Sequence, residues 1–251
     1  MALSSASARA SEGTPELEQE TAQLQHYKPI YFLMGTPDTK VQFSFKLRVI
    51  ENFGLYFAYS QLMMWDLFTK SSWPIRDVNY NPEVFYRYGL DGAAEPDQSR
   101  TWLDLGIFEH ESNGKDGADT RSWNRSYVRY RSDLELNERN RLSWEIKAWV
   151  AYLLDEANAD IRQYRGSYEF SLAIPNLLGE AVSPNDLIFR IYPGGSTTLN
   201  PIAGGQELTL RFRPPPVSYL RLLIVQVFHG YGENLLEYNQ NRWGIRAGIG
   251  F

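Results

Sequence analysis

The sequence predicts an all-β protein, a transmembrane antiparallel β-barrel of about 12 strands, and three observations lead there. The 251 residues include 16 Tyr, 13 Phe and 7 Trp, yet the mean hydropathy is only −0.41. Aromatic-rich segments are separated by clusters of Pro, Gly, Asn and Asp, and no long stretch repeats at helical spacing. The stretch RWGIRAGIGF places Trp243, Ile245, Ala247, Ile249 and Phe251 on one strand face and Arg242, Gly244, Arg246, Gly248 and Gly250 on the other. That division suits lipid outside and a polar lumen inside. A soluble aromatic-rich sandwich explains the composition as well as a barrel does, but rarely five apolar residues in strict register at the end of a chain.

Composition removes several other classes. No window holds the ~18 apolar residues of a spanning helix, whereas barrel strands alternate and average to a polar composition. Cysteine is absent, which excludes disulfide scaffolds, zinc-thiolate sites and cysteine nucleophiles. A net charge of −5 supplies no basic field for nucleic acid. The opening MALSSASARASEG lacks a basic n-region and an apolar h-region, so it does not read as a secretory signal.

Taken in order, residues 1–26 are mostly small and polar and read as a flexible arm, leaving residues 27–251 for the barrel. The segments Val41–Val49, Leu55–Phe68, Glu83–Gly89, Thr101–His110, Ser122–Asp133 and Arg141–Tyr152 are rich in β-branched and aromatic residues and read as strands. Tyr164–Ala173, Asn185–Tyr192, Gly205–Arg213, Ser218–Tyr231 and Arg242–Phe251 continue the series. That makes eleven, and single-chain bacterial barrels have an even number, so either Tyr27–Leu33 supplies another strand or one of these segments is not one; about twelve are expected. In SWNRSYVRYRSD, Arg125, Arg129 and Arg131 share a face with Tyr127. Charges on the lipid side would cost ~2–4 kcal/mol each near the midplane, so that face is the lumen and Asn124 points outward.

The stretch FEHESNGKDGADTRSWNR, residues 108–125, carries the candidate chemistry. His110 and Ser112 are two apart on a strand, hence on one face. A serine hydroxyl becomes a nucleophile when an imidazole accepts its proton, and that imidazole needs an acceptor at its other nitrogen. Asn124, at the start of the next strand, can supply an amide oxygen. Gly114 permits the close backbone approach that an oxyanion hole requires. Asp116, Asp119 and Thr120 make the intervening loop rich in the oxygen donors calcium prefers. A polar hairpin end is the plain alternative. Leu103, Leu105 and Ile107 lie on the opposite phase from His110, which predicts a β-bulge at Ile107–Phe108 that carries Phe108, His110 and Ser112 to the outer face.

These residues resemble the outer-membrane phospholipase A family of Gram-negative bacteria. The resemblance is carried by HESNGKDGADTRSWNR at 110–125, RDVNYNPEVF at 76–85 and GYGENLLEYNQNRWGIRAGIGF at 230–251. It implies a barrel of the outer membrane with its active site on the outer wall, where Ser112 is nucleophile, His110 base, Asn124 the orienting residue and Gly114 the oxyanion amide. It also implies hydrolysis of acyl esters of phospholipids and lysophospholipids, and Ca2+ held by the Lys115 carbonyl and the Thr120 side chain. Thr120 stands where the family commonly has serine. Activity as a homodimer is implied too, with a partner-subunit ligand near SSWPIRD; Ser72 is the nearest hydroxyl there, and Trp73 competes for the matching position. A different barrel hydrolase, such as a lipopolysaccharide deacylase, and a porin-like barrel are the alternative readings.

Overall fold

The computed structural model describes residues 24–50, 53–68, 71–72, 74–137, 140–179, 185–213 and 222–251. Among them a single antiparallel sheet runs through β1 (Leu24–His26), β2 (Tyr31–Thr36), β3 (Thr39–Arg48), β4 (Leu55–Trp65), β5 (Ile75–Gly89), β6 (Thr101–Ser112) and β7 (Ser122–Glu135). It continues through β8 (Arg141–Tyr152), β9 (Tyr168–Pro175), β10 (Asn185–Gly194), β11 (Asn200–Phe212), β12 (Leu222–Gly230) and β13 (Arg242–Gly250). From β2 to β13 every strand pairs with the next, and β13 returns to pair with β2 from Gly250↔Tyr31 to Ile245↔Thr36. The sheet therefore closes into the 12-stranded barrel that the alternation predicts. β1 and β2 lie in succession along one edge of β3, two pieces of one stave.

Several boundaries differ from expectation, each for a physical reason. Leu24–His26, placed in the polar arm over 1–26, pairs with Phe45–Leu47 and belongs to the sheet; residues 1–23 lie outside the described residues. β5 begins at Ile75 rather than Glu83, because Asn79 and Asn81 are not turn formers here but lumen-facing side chains. β9 begins at Tyr168, since Arg162–Arg165 forms a helical turn and Tyr164 packs against Tyr231 and Tyr238. β11 extends back to Asn200. Residues 218–221, expected at the start of β12, lie outside the described residues.

The two faces of the wall follow the predicted division. Along β13, Trp243 and Ile245 are exposed by 62% and 54%, while Arg246 is buried. On β7, Arg125, Tyr127 and Arg129 are buried and Val128 is exposed. A medium of lipid would cover the exposed set.

Inside, charges are paired. Asp104 on β6 receives Arg87 Nε at 2.8 Å and Arg129 Nη2 at 2.5 Å. Glu109 receives both Lys147 Nζ and Arg125 Nη2 within 2.9 Å. Arg246 of β13 joins Asp38 and Glu233, each at 2.6 Å. Such pairs add little net stability, but removing one partner leaves a buried charge and costs ~3–5 kcal/mol. Beside them a cluster that includes Tyr56, Phe85, Trp123, Tyr127 and Trp149 fills lumen space, and a cavity of about 680 Å³ remains. The up-and-down order puts the β4–β5, β6–β7, β8–β9 and β12–β13 connections at one end. There residues 231–241 fold inward: Leu235 and Tyr238 are buried, and the Leu236 amide donates to Asp77 Oδ2 at 3.0 Å.

Candidate active site

The register of β6 and β7 changes within a few residues. Gly106 faces Tyr127, but Glu109 faces Arg125, so β6 carries one more residue than β7 across this stretch. β5 shows the same slip, with Val84 opposite Phe108 and Phe85 opposite Gly106. This is the predicted bulge. Below it Leu105 and Ile107 are exposed; Phe108 is exposed as well, and Glu109 is buried. Past the bulge the phase is inverted, so His110 and Ser112 share the outer face while Glu109 and Glu111 turn into the lumen.

Beyond the slip the pairing is regular, and His110 stands directly opposite Asn124. His110 Nδ1 lies 2.9 Å from Asn124 Oδ1. Asn124 Nδ2 donates to the Leu153 carbonyl at 3.2 Å, which turns Oδ1 toward the imidazole. An amide oxygen can only accept, so the network assigns the proton to Nδ1 and leaves Nε2 with a free lone pair. Leu153 itself adopts φ 47°, rare for a branched residue and concentrated where function demands it. Ser112 pairs with Ser122 on β7 and Tyr80 on β5. Among the described residues no hydrogen bond joins its hydroxyl to His110; such contacts are commonly loose without substrate.

The inward side of the same strands is a rigid backing. Glu111 Oε2 accepts from Trp123 Nε1 at 3.0 Å and Arg125 Nη2 at 2.8 Å. Those partners alternate with Ser122 and Asn124, so the pairs lock β6 to β7 directly behind the outward trio. Gly114 follows the strand end with φ +63°, a conformation that favours glycine, and a Cβ there would meet the Tyr80 ring at 3.0 Å.

The remaining predicted positions are less tightly gathered. The Lys115 ammonium donates to the Arg76 carbonyl at 2.6 Å. Thr120 Oγ1 lies 3.5 Å from Asp155 Oδ2. Ser72 is exposed in the β4–β5 turn, and Trp73 lies outside the described residues. Asp155 was invisible to sequence reasoning, since only the fold brings a residue 35 positions away to Thr120. Phe108 and Tyr80, exposed beside His110 and Ser112, complete an apolar surround.

Known proteins share both the sequence pattern and the barrel. The family model described as phospholipase A1 matches residues 16–251. Phospholipase A1 of Salmonella typhimurium is 34% identical over 193 residues, 76% of this chain and 60% of that protein. The matched region thus spans less than two thirds of the relative's length. A crystal structure of the Salmonella typhi outer membrane phospholipase dimer with bound calcium superposes with a TM-score of 0.71 at 25% identity, covering 91% of this chain and 92% of the other. Outer membrane phospholipase A from Escherichia coli, in an active-site mutant with asparagine changed to alanine, gives a TM-score of 0.73 at 25% identity over 91% of each chain. From its closed barrel and the match along residues 16–251, the chain belongs to the phospholipase A1 family of outer-membrane β-barrels.

Proposed function

We propose that the protein is a calcium-dependent phospholipase that hydrolyses acyl esters of phospholipids and lysophospholipids, at the A1 and A2 positions, through Ser112, His110 and Asn124. The observation that carries this reading is the His110 Nδ1 to Asn124 Oδ1 contact on the lipid-facing wall, on the same face as Ser112. A relative whose active site contains an asparagine supports the third role.

In this mechanism Ser112 Oγ attacks the ester carbonyl carbon as His110 Nε2 takes the hydroxyl proton. The imidazolium returns that proton to the departing glycerol oxygen, leaving the acyl group on Ser112. Water then attacks the acyl-enzyme carbonyl as His110 Nε2 accepts its proton, and the imidazolium returns that proton to Ser112 Oγ as the acyl bond to serine breaks, releasing the fatty acid. Asn124 holds the ring and its tautomer throughout; a neutral amide stabilises the imidazolium less than a carboxylate would. The Gly114 amide donates to the developing oxyanion.

The donors near Thr120 suit calcium, a hard cation that takes oxygen ligands. The Lys115 carbonyl, the Thr120 hydroxyl and the Asp155 carboxylate would hold it, with Ser72 of a second copy completing the set. When bound, the ion supplies positive charge beside the oxyanion. Ligands divided between subunits make calcium and dimerisation reciprocal: each strengthens the other by the same factor. The calcium-bound dimer of the Salmonella typhi relative supports this.

The test is hydrolysis of a defined phospholipid in detergent, with calcium and with a chelator, alongside sedimentation. Activity should require calcium and follow the dimer fraction. Full activity of a strictly monomeric, chelated sample would remove the coupling, and no hydrolysis of any phospholipid would remove the reading.

A further inference from the structure

We propose that Asn113, held from inside the barrel by Asp77, is the positioning residue that sets the oxyanion amide. This rests on the hydrolase reading above. The peptide unit that carries the Gly114 N–H begins at Asn113, so whatever fixes Asn113 and Lys115 fixes the direction of that N–H.

The Asn113 side chain is only 3% exposed and its amide is saturated. Oδ1 accepts from the Arg121 amide at 3.0 Å and the Lys115 amide at 3.4 Å. Nδ2 donates to the Asp119 carbonyl at 2.9 Å and to Asp77 Oδ1 at 3.3 Å. Its backbone N–H donates to the Arg121 carbonyl at 3.0 Å. Two donors and two acceptor sites are all that a carboxamide possesses. The 113–121 loop is spanned by this one side chain, and both residues flanking Gly114 are pinned by it.

Asp77 completes the arrangement. It is 1% exposed, and its second oxygen accepts from Asn79 Nδ2 at 2.6 Å and from the Leu236 amide at 3.0 Å. One buried carboxylate therefore joins β5, the inward-folded 231–241 loop and the loop that follows Ser112. Hydrogen bonds to a buried charge are the strong kind, and leaving one unmade is expensive. None of these side chains reaches the outer wall, so the pair acts on the reaction only through the backbone it holds.

The experiment measures kcat and KM of Asn113→Ala, Asn113→Asp, Asp77→Asn and the double variant Asp77→Asn with Asn113→Asp, beside Ser112→Ala. Folding is read from the heat-resistant mobility of the barrel. A positioning role predicts that Asn113→Ala and Asn113→Asp lower kcat on the order of 10²-fold, the scale of a misdirected oxyanion donor, with KM changed less than about threefold. The double variant should recover at least part of the loss of Asn113→Asp, because the introduced amide at 77 can donate to the introduced carboxylate at 113. If Asn113→Ala fails to fold, the comparison of the double variant with its two parents decides. Wild-type kcat in a folded Asn113→Ala, or a double variant no better than its parents combined, overturns the proposal. An active Ser112→Ala would instead overturn the hydrolase reading, and an inactive Ser112→Ala beside a fully active Asn113→Ala would overturn the positioning role alone.

Discussion

The β12–β13 wall and the β6–β7 wall obey the same alternation and differ by one residue. Between β12 and β13 the register runs unbroken from Leu222↔Gly250 to Gly230↔Arg242, and the outer face is apolar at Val225, Ile245 and Trp243, with the His229 ring packed against Trp243 at its end. Between β6 and β7 it slips at Gly106–Glu109, and polar side chains emerge on the outside. A single inserted residue brings His110 and Ser112 beside Asn124 on a wall that is otherwise apolar outside, the surface to which the reaction is assigned in the proposal above. It does so without exposing the neighbouring carboxylates, because inversion of phase sends Glu109 and Glu111 into the lumen to meet Arg125 and Lys147.

The most damaging way to break this contrast is to make the two walls alike. Deleting Ile107 should straighten β6, turn His110 and Ser112 inward and push Glu109 and Glu111 toward lipid; no hydrolysis and little folded barrel should remain. A folded, active deletion variant would refute the account of the bulge. Next come changes that leave the wall intact and remove its chemistry. Ser112→Ala should lower kcat by at least on the order of 10⁴-fold, with His110→Ala nearly as severe, while the heat-resistant mobility is unchanged. Retention of most activity would end the nucleophile assignment.

Asn124→Ala should cost on the order of 10²-fold, the low end of what acid–base assistance supplies, because the ring survives and loses only its orienting partner. Equal, small losses in all three variants would show that they do not act as a unit. The smallest effect on catalysis belongs to the smooth wall. Ile245→Arg should leave kcat unchanged and reduce stability by up to ~2–4 kcal/mol, depending on depth, as read from denaturant-dependent refolding into lipid vesicles. A loss of activity matching Asn124→Ala would mean the two walls are coupled in a way their geometry does not suggest.

How much of this was legible depends on the distance over which the cause acts. Arg141–Tyr152 is a strand at the predicted boundaries because its pattern is local. The bulge was legible too, since Leu105–Ile107 and His110–Ser112 fall out of phase in the sequence itself. The strand over Ile75–Asn81 was not: Asn79 and Asn81 are turn residues by propensity, and only the fold supplies the Leu235 amide for Asn79 and the His110 carbonyl for Asn81. Arg162–Arg165 failed for the reverse reason, because aromatic Tyr164 looks like a strand residue and serves a loop. In the site, the outward trio follows from spacing, whereas Asp155 near Thr120 and Asp77 under Asn113 are joined across more than 30 positions and leave no local trace.

On the proposed hydrolase reading, the outward direction of Ser112 and His110 has a consequence for how the protein would meet its substrate. A buried cleft samples solutes in three dimensions; a reactive patch on the wall of a membrane-embedded cylinder samples neighbours by lateral diffusion in a sheet. Concentration is then a mole fraction in the leaflet, and saturation is set by how crowded the annulus around β5, β6 and β7 is with cleavable molecules. Any amphiphile that merely occupies that annulus slows the reaction by dilution, with no affinity for the protein at all.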